Sequence, residues 1–352
     1  MNSRNLSTDE AELLGFMNRV SDPHKVLANN WSTSDSVCNW IGISCDGHHG
    51  RVKGLNLPNM GLSGTLPPHL RNLSFLASLN LTGNNFHGHL PQQLGQLSRL
   101  KLVDLSYNAF EGELPSSLGT LQKVKLLVLG NNSFTGPIPP AFFNMSNLET
   151  LDLSCNSIQG SIPENTGKLQ NLKIFNVTNN QLNGFIPSSI YNISSLQIVD
   201  LASNKLSGTL PDNLCDNLLN LQMFRLSHNM VTGHIPSTIG KCSNLQVLAL
   251  TDNHFDGFIP ASIGNLTSLK RFVLGQNSIH GTIPPEFGGL RSLEFFAAPR
   301  MSLSDASFSQ ILHLEDFSSA QSNALTLLTV FKLRHPELTT PIKAFSSTCI
   351  LL

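Results

Sequence analysis

The sequence predicts an α/β repeat fold: a right-handed solenoid whose short strands form a parallel β-sheet on the concave face, with a helical cap at the N-terminus. Two observations lead to this prediction. The pattern L-x-x-L-x-L-x-x-N-x-L-x-G-x-[IL]-P returns ten times, and an amphipathic segment precedes the first copy. Successive copies are 24 residues apart, with one step of 25 between Asn204 and Asn229. The asparagines of the pattern are Asn84, Asn108, Asn132, Asn156, Asn180, Asn204, Asn229, Asn253 and Asn277, and the first copy has Met60 at this place.

The amphipathic segment covers residues 8–20. Asp9 and Glu12 have the spacing of a capping box, which predicts that the helix begins near Thr8. Five apolar residues recur with helical spacing and predict a face that packs on the first repeat. They are Leu13, Leu14, Phe16, Met17 and Val20.

Each repeat joins a strand to a tight turn. The L-x-L part alternates apolar and polar residues, which is typical of a strand with one buried face. The asparagine tolerates a tight turn, and its amide can bond backbone groups that burial would leave without partners. Glycine supplies unusual dihedral angles, and the proline three residues later fixes one. Because one repeat cannot bury its leucines alone, the copies must stack.

These patterns divide the chain into three parts. Residues 1–51 form the N-terminal cap, and residues 52–298 form ten repeats of 24 residues with the start of an eleventh. Residues 299–352 are rich in Ser and Thr and lose the period. Two interpretations of this tail stay open: a segment without selected structure, or a C-terminal cap over the last repeat.

The motifs of the cap and repeats resemble those of a known family. The G-x-[IL]-P ending is similar to the plant-specific class of leucine-rich repeat. Trp31, the segment CNWIGISC at 38–45 and Arg51-Val52 resemble the cap W…C-x-W-x-G-[VI]-x-C…R-V of plant leucine-rich-repeat receptor-like kinases. The amino-acid sequence of the repeats is similar to that of the repeats in the immune-receptor subfamily that senses bacterial flagellin and elongation factor. The resemblance covers about residues 8–298 and implies a leucine-rich-repeat solenoid of the plant-specific type.

The resemblance also implies a function. In that family the solenoid is an extracellular ligand-binding region, followed by a membrane-spanning helix and a Ser/Thr kinase. The sequence shows no kinase motif, no secretory signal and no apolar run of about 18 residues. We therefore expect a truncated ectodomain without enzymatic activity, at the extracellular face of the plasma membrane or in the apoplast. Its expected partners are a peptide or protein ligand and a co-receptor leucine-rich-repeat kinase.

Two alternative functions stay open. Secreted stand-alone inhibitors of polygalacturonase also have about ten repeats, but they carry further cysteine pairs at both ends that this sequence lacks. A non-functional fragment, or a decoy that binds without signalling, is the second alternative.

Composition and residue spacing argue against other classes of protein. The net charge is −1, so no basic excess favours nucleic acid or a membrane surface. No nucleophile–base pair and no cluster with metal-ligand spacing stands out. We expect no catalytic residue, no cofactor, no metal and no direct membrane insertion.

The candidate ligand-binding residues are those whose side chains point outward from the strands on the concave face. Exposed apolar side chains beside scattered charges suit an extended peptide or a protein surface. The candidates are Leu102, Asp104, Tyr107, Leu126, Val128, Asp152, Ile174, Asp200, Met223, Arg225, His228, Val247 and Arg271.

Six cysteines occur. The family cap implies a Cys38–Cys45 disulfide, and hence an oxidising compartment. Cys215 and Cys242 lie one repeat apart; a bridge between them stays open, but two buried thiols are favoured. Cys155 is expected to be a free thiol.

Glycosylation sequons fall into two groups. Four of them, at Asn72, Asn144, Asn192 and Asn265, lie twelve residues before a ladder asparagine, on the outer loop where a glycan has room. Three further candidates are Asn80, Asn131 and Asn176. Asn176 should point outward from the middle of the concave face, where a glycan would obstruct a ligand.

Overall fold

The computed structural model describes residues 3–303 and 330–332. It confirms the leucine-rich-repeat solenoid fold, with parallel strands from successive repeats. The backbone separates into two compact units, residues 1–174 and residues 175–352. The predicted tail begins at residue 299, and most of it lies outside the described residues.

The N-terminal helix spans Ser3–Met17, so it begins before Thr8 and ends before Val20. The predicted capping box is wrong because Asp9 lies inside the helix. Its buried carboxylate accepts hydrogen bonds from Arg51 and from the backbone N–H of Val52. Val20 belongs instead to a two-residue strand, Val20–Ser21, which pairs antiparallel with Ser63–Gly64.

The predicted apolar face of the helix forms part of the cap core. Leu13 and Phe16 are fully buried. The indole rings of Trp31 and Trp40 stack at 5.3 Å between centroids. Each indole N–H donates to a backbone carbonyl, that of Ile41 for Trp31 and that of Ser32 for Trp40. The two tryptophans thus bury their rings without leaving their N–H groups unpaired.

The first unit contains a main sheet built from the L-x-L segments. Its first pair of strands is antiparallel and the following ones are parallel. The strands are Ile43–Cys45, Val52–Asn56, Ser78–Asn80, Leu102–Asp104, Leu126–Val128 and Thr150–Asp152. A further strand, Ile174–Asn176, contains the boundary between the units.

A second, smaller sheet follows the turn of each repeat in the first unit. Its strands are Val20–Ser21, Ser63–Gly64, Asn85–Gly88, Ala109–Glu113 and Ser133–Thr135, and the strand Gln159–Ser161 occupies the same place in the next repeat. Short 3₁₀ helices complete the repeats at Val37–Asn39, Pro68–Asn72, Gln92–Gln96, Ser116–Thr120, Pro140–Asn144 and Glu164–Lys168.

A row of phenylalanines fills the space between the two sheets of the first unit. Phe86, Phe110 and Phe134 occupy one position in three successive repeats, and their rings stack at 6.2 and 6.3 Å between centroids. Phe16 of the helix lies 6.0 Å from Phe86 and extends the row into the cap. All four rings are 0 % exposed, so the repeats share one apolar interior.

The ladder asparagines hold the turns together. In Asn132 the amide nitrogen donates to the carbonyls of Leu105 and Leu129, at 3.0 and 3.1 Å. Its amide oxygen accepts from the backbone N–H of Phe110 at 3.0 Å. The residue before each of these asparagines takes a left-handed conformation, as Tyr107 does with φ of 53°. The predicted role of the asparagine as a partner for buried backbone groups is therefore confirmed.

The second unit repeats this construction. Its main-sheet strands Ile198–Asp200, Met223–Arg225, Val247–Ala249, Arg271–Val273 and Phe295–Ala297 pair in parallel, and Val330–Lys332 pairs antiparallel with the last of them. Its smaller strands are Gln181–Phe185, Lys205–Thr209, Met230–Gly233, His254–Phe255, His280–Gly281 and Ser302–Leu303. Its 3₁₀ helices are Ser188–Asn192, Ser237–Lys241, Ala261–Asn265 and Pro285–Gly289.

Two disulfides lie within single units. Cys38 and Cys45 are bonded, as the resemblance implied. Cys215 and Cys242 are also bonded, so the favoured pair of buried thiols is wrong. Stacking of adjacent repeats brings their Cα atoms to 5.4 Å, a normal separation for a disulfide. The free thiol expected at Cys155 is wrong as well, because Cys155 is disulfide-bonded.

Candidate ligand-binding surface

The sheet face, meaning the outward side chains of the main-sheet strands, carries an apolar row in the first unit. Backbone pairing places Leu102 beside Leu126, with Ser78 and Thr150 at the two ends of the row. Leu126 is 38 % exposed, and Leu102 is partly exposed. The row therefore offers two adjacent apolar side chains with hydroxyl groups on either side.

A second row on the same strands carries carboxylates. Asp104, Val128 and Asp152 lie side by side in the register, so the two aspartates are two strand spacings, about 10 Å, apart. Asp104 accepts hydrogen bonds from the N–H and the hydroxyl of Ser106 through one oxygen. Asp152 accepts from the N–H of Ser154. The hydrogen bonds from Ser106 and Ser154 fix the orientation of both carboxylates at the carboxyl ends of the strands.

Tyr107 lies next to this acidic row. Burial raises the pKa of the Tyr107 phenol above its usual value, and the carboxylate of Asp152 raises it further. The side chain of Asn131 forms a hydrogen bond with this phenol. Tyr107 therefore remains a neutral donor and acceptor beside the acidic row. Ile174, the last candidate of this unit, is partly exposed.

The candidates of the second unit form their own rows. Met223, Val247 and Arg271 lie side by side in successive strands and are partly exposed. The guanidinium of Arg271 lies 5.3 Å from the ring centre of Phe295, which holds it against the sheet. This row combines two apolar side chains with one fixed cation.

Asp200 differs from the other candidates because it is buried. Its side chain is 2 % exposed, and one carboxylate oxygen accepts from Nη1 of Arg225 at 2.7 Å. The other oxygen accepts from the backbone N–H of Ala202. The expected ligand contact at Asp200 is therefore not available on the surface; this carboxylate instead fixes Arg225, which is partly exposed.

His228 is paired as well. Its Nδ1 lies 2.8 Å from the carboxylate of Asp252 in the next repeat, and both side chains are exposed. The pair adds a polar contact at the rim of the sheet face.

The sequons of the outer loops share one place in the repeat, and the amide nitrogen of Asn72 donates to Glu12. Asn72, Asn144, Asn192 and Asn265 are each the last residue of a 3₁₀ helix, and each is exposed. The remaining three are less open. Asn80 and Asn131 are partly exposed, and the first accepts from the N–H of Thr82. Asn176 is 5 % exposed and accepts from the N–H of Thr178, so it is much less open to a glycan than the sequons of the outer loops.

Among residues 3–303 and 330–332, no three His, Cys, Asp or Glu side chains are grouped to hold a metal ion. None of the helices in these ranges combines the length and the apolar character that a bilayer crossing requires.

Sequence reasoning missed one group of residues. It considered the outward positions of the strands but not the residue directly before the first outward position of each repeat, where Lys53, Lys101 and Lys125 recur. The signal was the recurrence of lysine at one repeat position with steps of 48 and 24 residues. The structure places these lysines along one edge of the main sheet of the first unit.

Comparison with known proteins agrees with this architecture. The leucine rich repeat N-terminal domain family matches residues 6–46, and leucine rich repeat families match residues 75–97, 99–121, 122–182, 147–206, 220–242 and 243–297. The LRR receptor-like serine/threonine-protein kinase EFR of Arabidopsis thaliana is 45 % identical over 74 residues. That segment is 20 % of this chain and 7 % of the kinase, so the chain matches a small part of its relative.

Two crystal structures cover most of the chain. The ectodomain of the Arabidopsis thaliana receptor kinase GASSHO1/SCHENGEN3, in complex with CASPARIAN STRIP INTEGRITY FACTOR 2, is 33 % identical with a TM-score of 0.79. The match covers 85 % of this chain and 36 % of that ectodomain. The Arabidopsis receptor kinase HAESA, in complex with the peptide hormone IDA and the co-receptor SERK1, is 26 % identical with a TM-score of 0.60. That match covers 85 % of this chain and 66 % of HAESA.

The cap, the period and the ladder asparagines thus agree with both comparisons, by sequence and by fold. The chain belongs to the leucine-rich-repeat proteins and is homologous to the ectodomains of plant LRR receptor kinases.

Proposed function

We propose that this chain is a ligand-sensing portion of the extracellular region of a plant receptor kinase. It binds a peptide or protein ligand on the sheet face, at the extracellular face of the plasma membrane, and performs no chemical step itself. The cap, residues 1–51, and the repeats, residues 52–298, carry this recognition. A co-receptor leucine-rich-repeat kinase is its second partner.

The observation that carries the proposal is the pair of rows on the first unit. Leu102 and Leu126 present apolar surface between hydroxyl groups, and Asp104 and Asp152 flank Val128 one row further on. Exposed apolar side chains next to held polar groups are typical of binding surfaces. An extended peptide can place an apolar side chain on the leucines and a basic side chain between the aspartates.

The comparisons support the same proposal. GASSHO1/SCHENGEN3 and HAESA, whose ectodomains share this fold, were both crystallised with a ligand, and HAESA also with SERK1. Because this chain covers part of each ectodomain, its ligand and co-receptor are inferred from the shared construction. The exposed sequons at Asn72, Asn144, Asn192 and Asn265 fit glycosylation in an extracellular compartment.

The experiment uses the whole chain, secreted from insect cells. Peptides of twelve residues displayed on phage are selected on the purified protein, and the selected peptides are titrated against variants. L126E should weaken the selected peptides at least tenfold, because it buries a carboxylate under an apolar side chain. D152N should weaken peptides that contain Lys or Arg several-fold.

The matched control is Gln170→Glu, an exposed residue just after a 3₁₀ helix of the same unit. It adds the same charge away from the sheet face and should leave binding unchanged. Failure to select any peptide, or selection of peptides that bind L126E and Q170E equally, would refute the proposal.

A further inference from the structure

We propose that a basic cleft at the edge of the first unit's main sheet binds a carboxylate-bearing segment of the peptide ligand. This inference rests on the proposed function and adds the charge pattern of the ligand. The cleft has a volume of about 220 Å³ and is lined by Asp46, Lys53, Phe75, Ala77, Arg99, Lys101 and Lys123. We call it the edge cleft.

The cleft exists because a small residue separates two lysines. Lys53, Ala77 and Lys101 occupy the same position in three successive repeats. The N–H of Ala77 donates to the carbonyl of Lys53, and the N–H of Lys101 donates to the carbonyl of Ala77, each at 2.7 Å. The two lysines are therefore about 10 Å apart, with only a methyl group between them. An anion that enters this gap meets an ammonium group on either side.

A second column of residues forms the other wall of the cleft. Phe75, Arg99 and Lys123 lie two positions earlier in successive repeats. The guanidinium of Arg99 lies 3.9 Å from the ring centre of Phe75. This cation–π contact holds Arg99 in place, and the residue is exposed. A cation that is already oriented loses less conformational entropy when it binds a carboxylate.

The charge of the cleft is not neutralised by the protein. Within the described residues, none of Lys53, Arg99, Lys101 and Lys123 forms an ion pair. Four cations thus face one carboxylate, that of Asp46, in a chain whose net charge is −1. One oxygen of Asp46 already accepts from the backbone N–H groups of His48 and His49. Nearby cations elsewhere are paired: Arg51 with Asp9, and Lys125 with Glu149.

The position of the cleft points to a peptide as the source of the carboxylates. Lys101 directly precedes Leu102, and the strand ends three residues later at Asp104. A peptide that runs along the strand from the edge cleft meets first the apolar row and then the acidic row. The acidic row is three residues from Lys101, which is about 10 Å at 3.3 Å per residue. The rows therefore fit a segment with an acidic residue, then an apolar one, then a basic one.

The test measures binding of fluorescein-labelled hexaglutamate to the secreted chain by anisotropy in 50 mM salt. Hexaglutamine serves as the uncharged probe. We expect hexaglutamate to bind, hexaglutamine not to bind, and K53Q/K101Q to weaken hexaglutamate about tenfold, as two exposed ion pairs would. Raising the salt concentration should weaken binding of the wild type more than that of the double variant.

A variant that fills the cleft separates a built site from a diffuse charge effect. Ala77→Leu changes no charge but occupies the gap, and should weaken hexaglutamate at least fivefold. Its control, Ala109→Leu, adds the same side chain at an exposed position of the smaller sheet. The charge control is Lys168→Gln, an exposed lysine of the same unit. Both controls should bind like the wild type, and circular dichroism should report the same fold for all variants.

Three results would overturn the inference: no binding of hexaglutamate below 1 mM (roughly −4 kcal/mol), equal binding to A77L and wild type, or much tighter competition by trigalacturonate or sulfate than by hexaglutamate. The last result would assign the cleft to a polysaccharide or a free anion. Failure of the proposed function is a separate outcome. In that case the phage-selected peptides would bind L126E and the wild type with equal affinity, whatever the effect of A77L on hexaglutamate.

Discussion

The guanidinium of Arg51 donates two hydrogen bonds, of 2.8 and 2.7 Å, to the carboxylate of Asp9. The carboxylate is 0 % exposed and also accepts from the N–H of Val52 at 2.9 Å. Since Val52 begins the first parallel repeat strand, this single carboxylate ties the helix of the cap to the main sheet. The hydrogen bonds that Arg51 donates to Asp9 also raise the pKa of Arg51.

The Arg51–Asp9 pair predicts a large effect of substitution. Arg51→Ala leaves the buried Asp9 carboxylate without its cation, which should lower the free energy of unfolding of the cap by about 3–5 kcal/mol. Urea unfolding followed by circular dichroism and by tryptophan fluorescence checks this, because Trp31 and Trp40 both lie in the cap. The comparison is Lys241→Ala, which breaks an exposed pair with Asp216 and should cost less than about 1 kcal/mol. Equal losses for the two variants would refute the role of the buried pair.

The Cys215–Cys242 disulfide closes a loop of 27 residues. In the chain-entropy account such a loop stabilises the folded state by about 3–4 kcal/mol, against about 2 kcal/mol for the short loop between Cys38 and Cys45. C215A/C242A should therefore lower the urea midpoint more than C38A/C45A does. A non-reducing peptide map of the wild type should contain the linked Cys215 and Cys242 peptides. Alkylation of either residue in the native protein without reductant would contradict the bond.

Much of the architecture was predictable because it repeats. A residue type that returns every 24 positions reports the same environment many times, so the buried leucines and the ladder of asparagines could be assigned with no knowledge of tertiary contacts. The same periodicity placed the outward residues Leu102 and Leu126, which the structure puts side by side.

The errors concern residues whose surroundings are set by tertiary packing and not by the local pattern. Asp9 and Glu12 fit a local capping rule, but a buried arginine 42 residues away competes for Asp9. Asn176 and Asp200 look like outward residues by alternation, yet each is buried with its side chain hydrogen-bonded. The alternation of residues along a strand determines the face of the sheet on which a side chain lies. The neighbouring side chains on that face determine whether it is exposed.

Tyr191 predicts a stabilising substitution. Its phenol oxygen is buried without a hydrogen-bond partner in the described structure. An unpaired buried hydroxyl costs about 1–3 kcal/mol, so Tyr191→Phe should raise the free energy of unfolding by about 1 kcal/mol. Phe143 occupies the same position two repeats earlier and is buried, which indicates that the site accepts a phenyl ring. The control is Phe143→Tyr, for which we expect a loss; a destabilised Y191F in thermal unfolding would contradict the argument.

Tyrosine ionisation gives a pH-dependent prediction, since Tyr107 and Tyr191 are the only two tyrosines of the chain. Burial raises the pKa of both phenols above the usual value near 10, and the carboxylate of Asp152 adds to the effect at Tyr107.

The native protein therefore releases its phenolic protons at a higher pH than the unfolded chain does. Since the native state then binds more protons, this contribution to stability is full below pH 10 and falls as the pH rises toward the native pKa values. Absorbance at 295 nm and pH 10 should show less tyrosinate in the native protein than in 8 M urea, where about half of the phenols are ionised. In Y191F the remaining change reports Tyr107 alone, and Asp152→Asn should move its midpoint down toward 10. A native midpoint at 10 that does not respond to D152N would show that Tyr107 is neither buried nor coupled to the acidic row.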